Sequence, residues 1–249
     1  MQHRAVFVCL FFGGFMRFLV LSDIHGDTGY IEMLDEEFAA ADAVIIIGDF
    51  ARFEAPETGL PILNTLVKKH DDIFAVIGNC DEPEFLEELE KLDISVQGDV
   101  IFRDGLAFAG SGGALKFTGT TPNERTDDEL ISDLSIVAEQ ESEEGYGEKE
   151  WNNLILITHQ PPYDTGMDKI SAGISIGSKN IRAFIEEHQP LVALSGHIHE
   201  SFATGKLGKT VLMNPGSLAE GRYGILEVEQ DDDGTWKVST CELKEITSE

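Results

Sequence analysis

The sequence predicts an α/β fold, and three observations predict it. Residues 17–22 (RFLVLS), 42–47 (DAVIII) and 73–77 (IFAVI) are short apolar runs without polar alternation, the mark of strands buried on both faces. Between them, residues 30–41 and 59–70 carry apolar positions at three- and four-residue spacing, as amphipathic helices do. The alternation is therefore βαβαβ. Polar residues able to bind metal directly follow these runs, which places them where an open α/β sheet gathers its ligands.

Further along, residues 82–92 read as an acidic-faced helix, and the texture then changes to strands broken by glycine at 100–103 and 106–109, ahead of a turn at 110–113. Residues 127–139 read as a helix running into QESEEGYGEKE at 140–150, a solvated acidic loop. Buried strands return at 153–158 (NLILIT) and 191–195 (LVALS), with a helix at 178–188 between them. Antiparallel strands are expected at 202–205, 210–213, 222–229 and 235–241, the last two joined by a DDDG turn. There is no internal repeat and no linker-like stretch.

Composition narrows the function classes. The 249 residues include 46 Asp plus Glu against 18 Lys plus Arg, a net charge of −28 that repels polyanions. Long nucleic acids and anionic membrane surfaces are thereby disfavoured as partners. Cys9, Cys80 and Cys241 are scattered and form no CxxC pair, so neither a disulfide scaffold nor a thiolate zinc knot is expected. A reducing, cytoplasmic compartment fits, and no run approaches the roughly 18 to 20 apolar residues of a membrane span. Arg4 and the apolar residues 5–15 resemble the core of a secretory signal, but no small-x-small cleavage site precedes Met16. Residues 1–15 are read as an extension or a start assigned too early, and 16–249 as a single domain.

The chemistry concentrates at strand exits. Asp23 and His25 follow the first strand, Asp49 the second, Asn79 the third, His159 a later one, and His197 and His199 the next. Seven oxygen and nitrogen donors on one rim suggest a metal centre, and imidazole with carboxylate suits Mn, Fe, Zn, Ni or Co. Any one of them has an ordinary structural use: Asp49 as a helix cap, Asn79 in a turn, a lone His in a hydrogen bond. The whole set at successive exits does not. His3, His70 and His188 lack that context and are read as structural or surface residues.

Together, Asp23-Ile24-His25, Gly48-Asp49, Gly78-Asn79, His159 and Gly196-His197-Ile198-His199 resemble the five motifs of the calcineurin-like metallophosphoesterases, in the family's order. His159-Gln160-Pro161-Pro162 and Asn214-Pro215-Gly216-Ser217 are similar to the small prokaryotic and archaeal phosphodiesterase branch. The resemblance implies a four-layer α/β/β/α sandwich holding two divalent ions, Mn²⁺ first among them. It implies that Asp23, His25 and His199 hold one ion, Asn79, His159 and His197 the other, with Asp49 bridging. A hydroxide shared by the two ions would then attack phosphorus in line.

Cys80 departs from the family pattern. Many members carry Gly-Asn-His, whose imidazole is thought to assist the transition state or protonate the leaving oxygen, whereas this chain has Gly78-Asn79-Cys80-Asp81. A thiol is a weak hydrogen-bond donor. Asp81 is the alternative acid, although beside two cations it should stay ionised. Asp49, Asn79 and Cys80 are the expected catalytic residues. The expected function is hydrolysis of a small phosphodiester, a nucleotide derivative among the candidates, with homo-oligomers allowed. The other function class is a non-catalytic metal-binding scaffold for protein complexes, for which a complete ligand set has no use.

Overall fold

A computed structural model describes residues 14–144 and 151–247. Two sheets form its centre. The first has the order β13-β12-β1-β2-β3 and is built on β1 (Phe15–Leu21), β2 (Ala43–Ile47) and β3 (Ile73–Val76), which run parallel. β12 (Arg222–Gln230) joins β1 antiparallel, and β13 (Trp236–Glu245) closes that edge. The second sheet has the order β10-β11-β9-β8-β5-β4. Its parallel centre is β5 (Leu106–Ser111), β8 (Leu154–Thr158), β9 (Val192–Ser195) and β11 (Thr210–Asn214). β4 (Val100–Arg103) and β10 (Ala203–Leu207) are its antiparallel edges.

Strand alternation explains why both faces of each sheet are apolar. Phe18, Val20, Ile45, Ile47, Phe74 and Val76 of the first sheet meet Phe108, Ile155, Ile157, Val192 and Leu194 of the second in one buried cluster. Phe108 stacks on Phe74 with centroids 3.8 Å apart and meets Phe18 edge-on at 5.9 Å, fastening sheet to sheet. The intervening residues point outward. Leu19, Leu21, Val44 and Ile46 pack on α1 (Gly29–Glu32), α2 (Asp35–Ala40), α3 (Gly59–Lys69) and α4 (Leu86–Lys91). Ala107, Ala109, Leu154 and Leu156 pack on α5 (Asp127–Ser132), α6 (Ser135–Glu144) and α7 (Lys179–His188). The result is the four-layer α/β/β/α sandwich.

Several element boundaries differ from the sequence expectation. The helix expected at 30–41 is two, broken at Met33–Leu34, because three acidic residues, Asp35, Glu36 and Glu37, open a second helix where the dipole favours them. The helix expected at 127–139 breaks at Asp133, whose carboxylate is gripped by Arg125 at 2.5 and 2.8 Å. α6 then continues to Glu144, into the stretch expected to be loop, while 145–150 lie outside the described residues. Residues 82–92 open with a turn of 3-10 helix at Pro83–Phe85 before α4. β6 (Ala114–Leu115) and β7 (Glu124–Arg125), a two-residue parallel pair, had no expectation. His3, Cys9 and the apolar start at 5–13 lie outside the described residues. No helix among the described residues is long and apolar enough to cross a membrane.

Candidate metal centre

Parallel strands put their C-terminal ends on one rim, and the two sheets bring two such rims together. β1 exits into Asp23 and His25, β2 into Asp49, β3 into Asn79, β8 into His159 and β9 into His197 and His199. The loops are zipped to one another by main chain: Asp23 donates to the Gly48 carbonyl, Ile24 and His25 to Asp49, and Gly26 to Phe50, at 2.8 to 3.1 Å. Asp23, His25, Asp49 and His197 all have left-handed backbone, with φ of 53°, 50°, 55° and 64°. Each such residue costs about 1–2 kcal/mol, a strain that persists when surrounding contacts over-determine it.

Close approach of the second and third exits requires glycine. A Cβ on Gly78 would lie 1.9 Å from Asp49 Oδ1 and 2.3 Å from its backbone nitrogen, and one on Gly48 would lie 2.5 Å from Gly78 nitrogen. The Asp49 carboxylate then accepts from Cys80 N–H at 2.7 Å, which orients it toward the cluster.

Ligand atoms of Asp23, His25 and His199 lie within 4.8 Å of one another, and so do those of Asp23, Asp49 and His159 and those of His25, Asp49 and Cys80. Asp23 Oδ1 is 3.1 Å from His199 Nε2. Asp49 is central, with Oδ2 3.7 Å from His25 Nε2 and Oδ1 3.6 Å from His159 Nε2. Asn79 and His197 adjoin the cluster through His159: Asn79 Oδ1 is 2.9 Å from His159 Nε2, and the His197 and His159 ring centroids are 5.3 Å apart.

The donor chemistry fits cations. His159 Nδ1 lies 2.6 Å from the Ile47 carbonyl, and His25 Nδ1 lies 3.3 Å from that of Ala51. A carbonyl only accepts, so each Nδ1 carries a proton and each ring turns its Nε2 inward. His159 Nε2 faces Asn79 Oδ1, and His25 Nε2 faces His199 Nε2 at 3.3 Å. Such close nitrogen and oxygen atoms need a proton or a cation between them, and a divalent ion can take the proton's place. Burial opposes charge on Asp23, but His199, His159 and His25 outweigh it and hold the carboxyl well below its usual range. Burial also opposes charge on His199, whose bond to Asp23 lifts it to about 9, whereas burial and then His159 bring His197 down to about 4.

Cys80 is buried, and burial followed by Asp49 pushes its thiol far up, so it stays protonated rather than acting as a nucleophile. Asp81, the alternative acid of the sequence reading, is engaged with backbone N–H groups. Its oxygens accept the N–H groups of Gly78 at 2.8 Å, Ala51 at 2.8 Å and Phe50 at 3.3 Å, pinning the second and third strand exits together. Burial and then Asp49 raise its pKa to about 6.

Other clamps also escaped the sequence reading. Asn214 Nδ2 donates to the carbonyls of Met167, Gly196 and Ile198, and Ser217 Oγ donates to that of Asp23 at 2.7 Å. Asn123 donates from its backbone to Asn79 and from its side chain to Gly78. The Asn214-Pro215-Gly216-Ser217 motif was the one signal in the sequence for any of these. His70 is tied to Ala41 and Asp72, and His188 packs against Phe184, so both are structural as expected.

The chain is similar to known proteins in sequence and in fold. The sequence profile described as calcineurin-like phosphoesterase matches residues 16–201. An uncharacterized protein of Methanocaldococcus jannaschii is 30% identical over 207 residues, covering 81% of this chain and 88% of its own. A Synechococcus protein named probable cyclic nucleotide phosphodiesterase is 24% identical over 202 residues, 79% of this chain and 74% of its own. The crystal structure of a Thermus thermophilus protein superposes with a TM-score of 0.67 at 19% identity, covering 93% of this chain and 99% of that one. With its sandwich, its strand-exit motifs and a profile match over most of its length, the chain belongs to the calcineurin-like phosphoesterases, enzymes that hydrolyse phosphoester bonds and use divalent metal ions.

Proposed function

We propose that the chain is a binuclear phosphodiesterase acting on small phosphodiesters, nucleotide-derived ones included. The observation that carries this reading is Asp49, one carboxylate whose two oxygens reach toward separate groups of donors. Asp23, His25 and His199 would hold one ion and Asn79, His159 and His197 the other, with Asp49 shared. Bound cations supply Lewis acidity toward phosphoryl oxygens and make water a nucleophile at neutral pH; Mn²⁺ suits the mixed imidazole and carboxylate donors.

The protein's own groups then orient and exclude. Ile47 and Ala51 carbonyls fix the imidazole tautomers, and Asp81 holds the Asp49 and Asn79 loops at one separation. Cys80 stands where many relatives place an imidazole, and its protonated thiol offers the leaving oxygen only weak help. Esters with good leaving groups should therefore react best, and diesters are favoured over alkyl monoesters. The reading assigns one domain over 16–249, a cytoplasmic setting and no nucleic-acid polymer as partner, the last supported by the charge of −28.

The test is turnover of bis(p-nitrophenyl) phosphate against p-nitrophenyl phosphate with Mn²⁺, Fe²⁺, Zn²⁺, Ni²⁺ and Co²⁺ in turn. Faster diester turnover with Mn²⁺ is expected. Turnover of neither ester with any metal would overturn the reading in favour of a binding scaffold.

A further inference from the structure

Beside the metal centre a cavity of about 220 Å³ opens between the β6–β7 loop and the segment after β8, and it shares Asn79 and His197 with the site. A phosphoester held at the donor cluster would therefore sit beside this mouth. Its walls include Ala114, Leu115, Phe117 and Ile176. Of the polar side chains that also line it, Lys116 stands 3.9 Å from Glu129 at the exposed edge, and Gln160, Thr121 and Glu124 are engaged. Gln160 accepts from Leu115 N–H and donates to the Ile176 carbonyl, and Thr121 bonds to Glu124. Glu124 takes the backbone N–H groups of Phe117, Gly119, Thr120 and Thr121, so its charge is spent on the loop.

The same bonds make the loop a formed structure rather than a floppy one. Asn123 ties its far end to the carbonyls of Gly78 and Asn79, and Gly113 ties its near end to that of Ile77. On this anchored loop Phe117 is 88% exposed, a full aromatic face presented to solvent at the edge of the cavity. The opposite flank of the site differs. There Glu200 and Glu220 line an open groove, and Arg222 is taken up by Glu220 and Glu245. Negative walls repel a second anionic group, and the apolar side accepts a ring.

We propose that this cavity is the subsite for an aromatic arm of the substrate, an aryl group or a nucleobase, with Phe117 stacking on it and setting specificity. The proposal rests on the phosphoesterase reading and deepens it. At about 220 Å³ the space is smaller than the roughly 300–1,000 Å³ of pockets for drug-sized ligands, so it admits one ring system rather than a dinucleotide.

The experiment measures binding rather than turnover, by calorimetry on the Mn²⁺-loaded protein with inorganic phosphate and with phenyl phosphate. Both carry the phosphoryl group, and only the second carries a ring. Phenyl phosphate should bind the wild type more tightly than phosphate. Phe117→Ala should weaken phenyl phosphate about fivefold to tenfold, the scale of one aromatic pair, and shift phosphate less than about twofold. Phe117→Trp should restore the difference. Because Phe117 is so exposed, its loss does not threaten the fold. Equal weakening of both probes, no weakening of either, or wild-type binding that ignores the ring would each overturn the subsite while leaving the phosphoesterase reading intact. Binding of neither probe, together with no turnover of any ester, would instead remove the phosphoesterase reading and the subsite with it.

Discussion

Gly78→Ala is the sharpest test of how the strand exits make the site. The added Cβ would sit 1.9 Å from Asp49 Oδ1 and 2.3 Å from Asp49 nitrogen, where real Cβ atoms do not come closer than 3.0 Å. The carboxylate must therefore retreat by more than 1 Å, and because the backbone nitrogen is blocked as well, a side-chain rotation alone does not relieve the clash. Overpacking of this kind costs about 1–3 kcal/mol of stability. A displacement of about 1 Å in a reacting constellation costs about 100-fold in rate. The expected result is a folded protein with a lowered melting temperature, fewer metal ions per chain by elemental analysis, and roughly 100-fold lower kcat/KM on bis(p-nitrophenyl) phosphate. Gly98→Ala is the control. Its Cβ meets nothing within 4 Å, although its φ of +71° adds strain of about 1 kcal/mol, so stability falls slightly and turnover holds. Normal turnover and metal content in Gly78→Ala would refute the claim that this glycine places Asp49.

Asp49→Asn should lower kcat more than about 100-fold while leaving the circular dichroism spectrum unchanged, since a neutral amide cannot share its charge between two cations. Cys80→His should raise monoester turnover relative to diester; an unchanged ratio would show that this position does not set substrate class. Glu124 has a pKa of about 2, because burial, which would raise it from 4.5, is outweighed by its backbone N–H partners. A depressed carboxyl stabilises above its unfolded pKa, so the advantage of wild type over Glu124→Gln in chemical denaturation should be full near pH 7, shrink below about 4.5 and vanish near 2. Chelation of the metal should abolish calorimetric binding of inorganic phosphate, and binding that survives would point to a protein-borne anion site.

The donors were legible in the sequence because their chemistry is rare and their placement regular. Asp23, His25, Asp49, Asn79, His159, His197 and His199, the proposed donors, each stand just past a buried apolar run, and parallel strands carry those positions to one rim. The clamping role was not legible, although the motif at Asn214–Ser217 flagged two of the clamps. Asp81, Asn123, Asn214 and Ser217 act on backbone N–H and carbonyl groups, and a backbone partner leaves no residue type to pair with in the sequence. The helix breaks were hidden for a related reason. Ile31, Leu34 and Phe38 keep helical spacing across the break at Met33–Leu34 and all reach the core, so periodicity alone reports one helix where there are two. The pairing of β6 with β7 is too short to have any period, and yet the loop it closes carries Phe117.

An acidic protein that handles anions needs a local reversal of sign, and most of its arginines are committed elsewhere, Arg52 in the loop after Asp49 being the exposed exception. Arg17 is held by Glu37 and Glu227, Arg125 by Asp133, Arg182 by Glu186, and Arg222 by Glu220 and Glu245. A guanidinium already forked onto carboxylates has little left for a phosphate. On the proposed reading, cations at the strand exits would supply the chemistry and much of the attraction, with Lys116 and Arg52 as the protein's own positive charges nearby. Their placement would also limit the substrate. A second phosphate beyond the reach of those cations meets the acidic flank of Glu200 and Glu220, whereas a neutral ring meets the apolar wall beside Asn79. On the proposed reading, the same charge pattern would favour a compact ester with one central phosphate and a flat arm over a chain of them.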